Sequence, residues 1–108
     1  MIRVIVGYDD NDYELGDYFE QSYNDLKESF KDKNIDLIPI QGLECNEDKL
    51  KEVIKSFDDE KFVVIGLMHG NENQIVTENE IFVDRDDIEH LTNSLLVVWF
   101  EQRMRYVR

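Results

Sequence analysis

The sequence predicts an α/β domain: a three-layer α/β/α sandwich around a mainly parallel sheet of strand order 2-1-3-4. Two observations carry this. Apolar runs of strand length alternate with segments whose apolar residues recur at helical spacing. Such alternation implies a parallel sheet with right-handed crossovers and helices on its faces. The run from Lys61 to Gly70 is continuously apolar until it ends in His69-Gly70. A charged cluster, Asp58-Asp59-Glu60, precedes it and polar residues follow, so it reads as a central strand buried on both faces.

In chain order, Ile2 to Val6 is a short β-branched strand that Gly7 ends. An acidic loop follows, Tyr8-Asp9-Asp10-Asn11-Asp12. A helix is expected from about Tyr13 to Lys31, because Leu15, Phe19, Tyr23, Leu26 and Phe30 form one apolar stripe. Asp32-Lys33-Asn34 closes it, and Ile35 to Ile40 is the second strand. Pro39 lacks an N–H donor, which places that strand at the sheet edge. Asn46 caps a second helix with Glu47 and Asp48 in its first turn. Leu50, Val53, Ile54 and Phe57 line its apolar face.

Beyond His69-Gly70 the texture changes. Gln74 to Thr77 and Glu80 to Val83 read as a small hairpin. Asp84 is placed to cap a short helix around Asp86 to Asn93. Ser94 to Phe100 is the next buried strand, and the tail carries Arg103, Arg105 and Arg108, either as a fifth strand or hanging free.

At 108 residues the chain is one domain, residues 1–108, with room for a small core. No apolar run approaches the roughly 20 residues of a membrane span. The N-terminus lacks the pattern of a signal peptide, and a single cysteine, Cys45, cannot form an internal disulfide. The expectation is a cytoplasmic protein. Residues 1–84 carry 21 acidic and 8 basic side chains, whereas residues 85–108 carry 4 of each. Such a surface repels nucleic-acid phosphates and anionic lipid and favours basic partners. It is a solvated halo on one reading and mimicry of nucleic acid by an acidic inhibitor protein on another. No glycine-rich phosphate loop is present.

In a parallel sheet the carboxyl ends of the strands share one rim, where open α/β sheets place their sites. That rim collects Tyr8, Asp9 and Asp10, Gln41 and Gly42, His69 and Gly70, and Glu101. His69 is the candidate catalytic residue, because imidazole titrates near neutrality and can act as general base. The acidic loop is either a site for a hard divalent cation or a favourable helix N-terminus.

This layout resembles the N-terminal half of the caspase-like fold of caspases, metacaspases, gingipains and CHAT domains. Phe62 to Gly70 matches that fold's hydrophobic strand ending in His-Gly, and Gln74 to Val83 matches the hairpin that follows. Asp86 to Leu91 matches the short helix, and Leu95 to Phe100 the second hydrophobic strand. The resemblance implies a nucleophilic cysteine near Glu101 or Gln102, where this chain has none. Cys45, after the second strand, starts roughly 10 Å away at about 4.8 Å per strand. What the resemblance implies is therefore a non-catalytic or incomplete caspase-like module. It would bind a protein partner, or a second copy of itself, through an open Ser94–Phe100 edge.

A second resemblance points to a hydrolase. His69-Gly70-Asn71-Glu72 is similar to the His-Gly-Asn-Glu motif of the aspartoacylase and succinylglutamate desuccinylase zinc enzymes, which implies His69 and Glu72 as metal ligands with His90 as the remaining histidine. Otherwise no cofactor is expected. The general sheet architecture is also compatible with flavodoxin-like folds such as phosphorylation receivers. Those need an acceptor aspartate where His69 stands.

Overall fold

The computed structural model describes residues 2–57, 62–70, 73–84, 86–87, 95–99 and 104–107. The protein is of mixed α/β class. Strand β1 (Ile2–Tyr8) leads to helix α1 (Gly16–Phe30) and strand β2 (Ile35–Gln41). A 3-10 turn at Gly42–Glu44 precedes helix α2 (Glu47–Lys55). Among the described residues six further strands follow: β3 (Phe62–Leu67), β4 (His69–Gly70), β5 (Gln74–Val76), β6 (Ile81–Asp84), β7 (Leu95–Trp99) and β8 (Met104–Val107).

The main sheet has five strands in the order β2-β1-β3-β7-β8. The first four run parallel, and β8 pairs antiparallel with β7. The expected clean four-stranded sandwich of order 2-1-3-4 is thus replaced by a mixed sheet closed by an antiparallel strand. The strand expected over Ser94–Phe100 is not an open edge: β7 has β3 on one side and β8 on the other. Ser94, Phe100, Arg103 and Arg108 lie outside the described residues. Arg105 pairs with Val98, so this part of the tail is the fifth strand. Strand β2 stands at the opposite edge, as Pro39 requires.

Side chains alternate cleanly across β1 and β3. Val4, Val6, Tyr8, Ile65 and Leu67 pack with Phe19 and Tyr23 of α1. Ile5, Phe62, Val64 and Met68 pack on the other face with Leu50 of α2 and with Ile75 and Phe82. The whole apolar stripe expected for the first helix lies in the α1 layer, with Leu15, Leu26 and Phe30 at its margin. Asp32 closes that helix in the left-handed region, at φ 64°. Asn46 caps α2 as expected, its Oδ1 accepting from the Lys49 N–H at 2.9 Å.

The second face is not purely helical. A separate antiparallel sheet, β4-β5-β6, shares it with α2. Two glycines make this possible. Gly7 does not end β1 but sits inside it, paired with Gly66 of β3. A Cβ on Gly7 would collide with the Phe82 ring, and one on Gly66 would meet Ile75 Cγ2 at 2.7 Å. The missing side chains leave a dent in the main sheet into which β5 and β6 press Ile75 and Phe82, 2% and 0% exposed.

Candidate functional site

The site begins where β3 ends. His69-Gly70 is not the last turn of the central strand: β3 stops at Leu67, and His69 opens the small sheet, paired with Val76. This turns the imidazole over the amino-terminal end of α1. Its Nε2 donates to Asp12 Oδ1 at 3.1 Å. The Phe19 ring meets it edge-on, centroids 5.5 Å apart. The His69 side chain keeps 42% of its surface exposed, whereas Asp12 keeps 3%. Bonding through Nε2 leaves Nδ1 as the nitrogen without a hydrogen bond among the described residues.

Asp12 also does backbone work. Its Oδ2 accepts from the N–H groups of Glu14 at 3.1 Å and Leu15 at 2.9 Å, and its carbonyl accepts from Gly16 N–H at 3.2 Å. It therefore caps the turn leading into α1. Burial raises the Asp12 carboxyl pKa, but the Leu15 N–H, the His69 imidazole and the Glu14 N–H together outweigh it. The net result lies below the ordinary value. The Asp12–His69 pair joins residues 57 apart, and no local pattern marks it. The signal for half of it was present, since Asp12 stands three residues before Leu15, the first residue of the helical stripe.

The other predicted rim residues take separate roles. Tyr8 belongs to the core: its ring stacks on Tyr23, centroids 4.2 Å apart and 7° between planes. Burial, then the neighbouring Tyr23 hydroxyl, raises its pKa. Asp10 Oδ2 accepts from Gln41 Nε2 at 2.6 Å. Gly42, at φ +51°, leaves room for that carboxylate: a Cβ there would meet Asp10 Oδ1 at 2.6 Å. Asp9 is 3% exposed, and its Oδ1 accepts from Asn11 N–H at 3.2 Å. Burial raises the Asp9 carboxyl above its ordinary value, with like charge from Asp12 and Glu78 adding to it. Gly70 pairs with Ile75 in the small sheet. Glu72, His90 and Glu101 lie outside the described residues.

The three loop carboxylates are thus engaged one by one, and no group of three metal-ligating side chains is assembled among the described residues. Cys45 is 1% exposed, its thiol directed at the carbonyls of Ile40 at 3.3 Å and Tyr8 at 3.7 Å. Burial pushes this thiol up to about 12. The sequence does not signal the Asp10 and Cys45 placements, because each joins the end of β1 to the end of β2 or the segment after it, 31 and 37 residues apart.

Above Asp9 lies a cleft of about 160 Å³ between the loop after β2 and the tip of the β5–β6 hairpin. Thr77 shapes that tip: its Oγ1 accepts from Glu80 N–H at 3.1 Å and its own N–H donates to the Glu80 carbonyl at 2.8 Å. Glu78 Oε1 accepts from Tyr13 N–H at 3.1 Å and so ties the tip to the acidic loop. No helix among the described residues is long and apolar enough to cross a membrane. Comparison with protein-family models, with curated proteins and with solved structures gives no match to this chain.

Proposed function

We propose that this chain is a non-catalytic protein-interaction module with a caspase-like strand layout, working through its acidic rim. The observation that carries this is the fate of the one cysteine. A thiol raised to about 12 is almost wholly protonated at neutral pH and is a poor nucleophile. It is sealed under the rim and bonded to backbone carbonyls. His69, in turn, is held by a carboxylate that also caps the turn leading into α1. This fits a pair that fixes the small sheet to α1 better than a charge-transfer pair serving a nucleophile. With the β7 edge covered by β8, the rim is the better-supported contact surface than the sheet edge.

The decisive assay is turnover of a panel of fluorogenic peptide amides and simple esters. The expected outcome is no hydrolysis above buffer and no difference between the native chain and His69→Ala. Turnover that disappears in His69→Ala overturns the reading.

One observation favours a second reading. The Asp12–His69 pair has the carboxylate–imidazole geometry of a general base, with 42% of the His69 side chain open. A nucleophile supplied by another chain would make it half of a composite hydrolase. That reading requires turnover to appear only when a second component is added, and to vanish in His69→Ala.

A further inference from the structure

The cleft above Asp9 carries an inference that deepens the interaction reading and rests on it. We propose that it binds the cationic head of an arginine or lysine side chain presented by a protein partner, with Asp9 as its floor.

Four features fit one another. Asp9 is 97% buried by its 3% exposure, yet it lines the cleft. Its Oδ1 takes the Asn11 N–H, and its Oδ2 receives no donor among the described residues. A buried carboxylate oxygen without a donor is costly, and a bound cation would remove that cost. The lining adds Glu78 and Glu80 from the hairpin tip and Leu43 from the 3-10 turn after β2. Leu43 is 81% exposed and gives the cleft an apolar lip beside its carboxylates. An aliphatic stem against Leu43 with its charged end toward Asp9 is how long basic side chains divide themselves between apolar and polar surroundings. The volume is that of several waters at about 30 Å³ each, which suits a side-chain end rather than a bare ion.

The acidic surface supplies the steering. Residues 1–84 carry a net charge of −13, so a basic segment approaches this face with a long-range attraction. The hairpin tip is pinned by the Thr77 and Glu78 hydrogen bonds, so the cleft is formed before anything enters it.

The test is a nitrogen-15 NMR titration of the full chain with N-acetyl-arginine methylamide, methylguanidinium and n-butylammonium. The expected result is saturable shifts of the Gly42, Leu43 and Thr77–Glu80 amides, with the blocked arginine binding at least as well as the free cations. Asp9→Asn, which keeps the acceptor for Asn11 N–H, should weaken binding about tenfold or more, and raising salt from 20 to 200 mM should weaken it several-fold. If Asp9→Asn fails to fold, the surface pair Glu78→Gln with Glu80→Gln replaces it, with the same direction of change.

Flat titrations overturn the proposal, as does unchanged affinity in a folded Asp9→Asn. Binding of free amines with exclusion of the blocked arginine overturns the partner assignment. Magnesium, calcium or zinc chloride producing the same shifts at matched ionic strength, and competing with the blocked arginine, would make this a metal site instead. Failure here leaves the hydrolysis assay untouched. Turnover dependent on His69 would sink the non-catalytic reading and leave the titration standing.

Discussion

Gly7 and Gly66 sit opposite each other across β1 and β3, and together they form the dent that seats Phe82 and Ile75. The second sheet, and with it His69 and the hairpin tip, is positioned by what these two residues lack. Gly7→Ala is expected to destabilise the fold by about 1–3 kcal/mol, the usual cost of overpacking a dense core. Phe82 is fully buried, so its ring yields only by displacing the residues packed around it. Denaturant melts of Gly7→Ala, Phe82→Leu and the double variant check this. A double variant less destabilised than the sum of the singles identifies the contact; strict additivity would rule it out.

Asp12 joins two tasks through two oxygens, and substitutions separate them. Asp12→Ala removes the cap and leaves His69 without its acceptor, for a loss of about 1–3 kcal/mol. Asp12→Asn keeps an oxygen for the Glu14 and Leu15 N–H groups and should recover the capping part, leaving a smaller deficit. Because the Asp12 pKa is lowered in the fold, its contribution is present above the ordinary carboxyl value near 3.8 and is lost as pH falls through the lowered folded value. Chemical melts at pH 7 and below pH 3 should show the difference between native chain and Asp12→Asn shrinking in acid. A difference independent of pH removes the carboxylate from the account.

Asp9 behaves in the opposite sense. Its folded pKa is raised, so the folded chain binds the proton more tightly than the unfolded one. Stability from this group therefore falls as pH rises from the ordinary value near 3.8 through the raised one, and the cost is fully present above it. Asp9→Asn should accordingly raise Tm at pH 7, and that gain should disappear at pH 3, where both states carry a neutral side chain. A stabilising substitution that weakens cation binding is the pattern expected of a residue kept for function rather than for folding. A fall in Tm at pH 7 would contradict it.

The sequence was informative about layers and poor about the site, for a physical reason. The stripe from Leu15 to Phe30, the run from Phe62 to Leu67, Pro39 at an edge and Asn46 as a cap are local patterns, and each sits as its pattern requires. Gly7 inside β1, His69 in a second sheet, Tyr8 in the core and β7 as an inner strand depend on contacts between distant segments. Tyr13 N–H bonds Glu78, 65 residues away, and no window of sequence contains both. The pairing of β8 along β7 likewise turned a tail that could have hung free into the cover for an edge. Local period fixes which face is apolar; it does not specify which distant segment covers it.

Cys45 offers the sharpest check on the non-catalytic reading. With the thiol pushed up to about 12 by burial, it is protonated at neutral pH, and the residue is 1% exposed. A disulfide reagent should therefore react with the folded chain only as fast as the chain opens, and with the denatured chain at the ordinary rate for a free thiol. Cys45→Ala should leave any His69-dependent property unchanged and cost about 1–2 kcal/mol of stability from the lost packing and the weakened shell around Ile40 and Tyr8. Rapid labelling of the native chain, with a rate that follows the titration of a low-pKa thiol and falls in His69→Ala, would bring Cys45 and His69 into one site. That result would require a rearrangement of the loop after β2, because in this fold the sulfur is bonded to the carbonyls of Ile40 and Tyr8 beneath the rim.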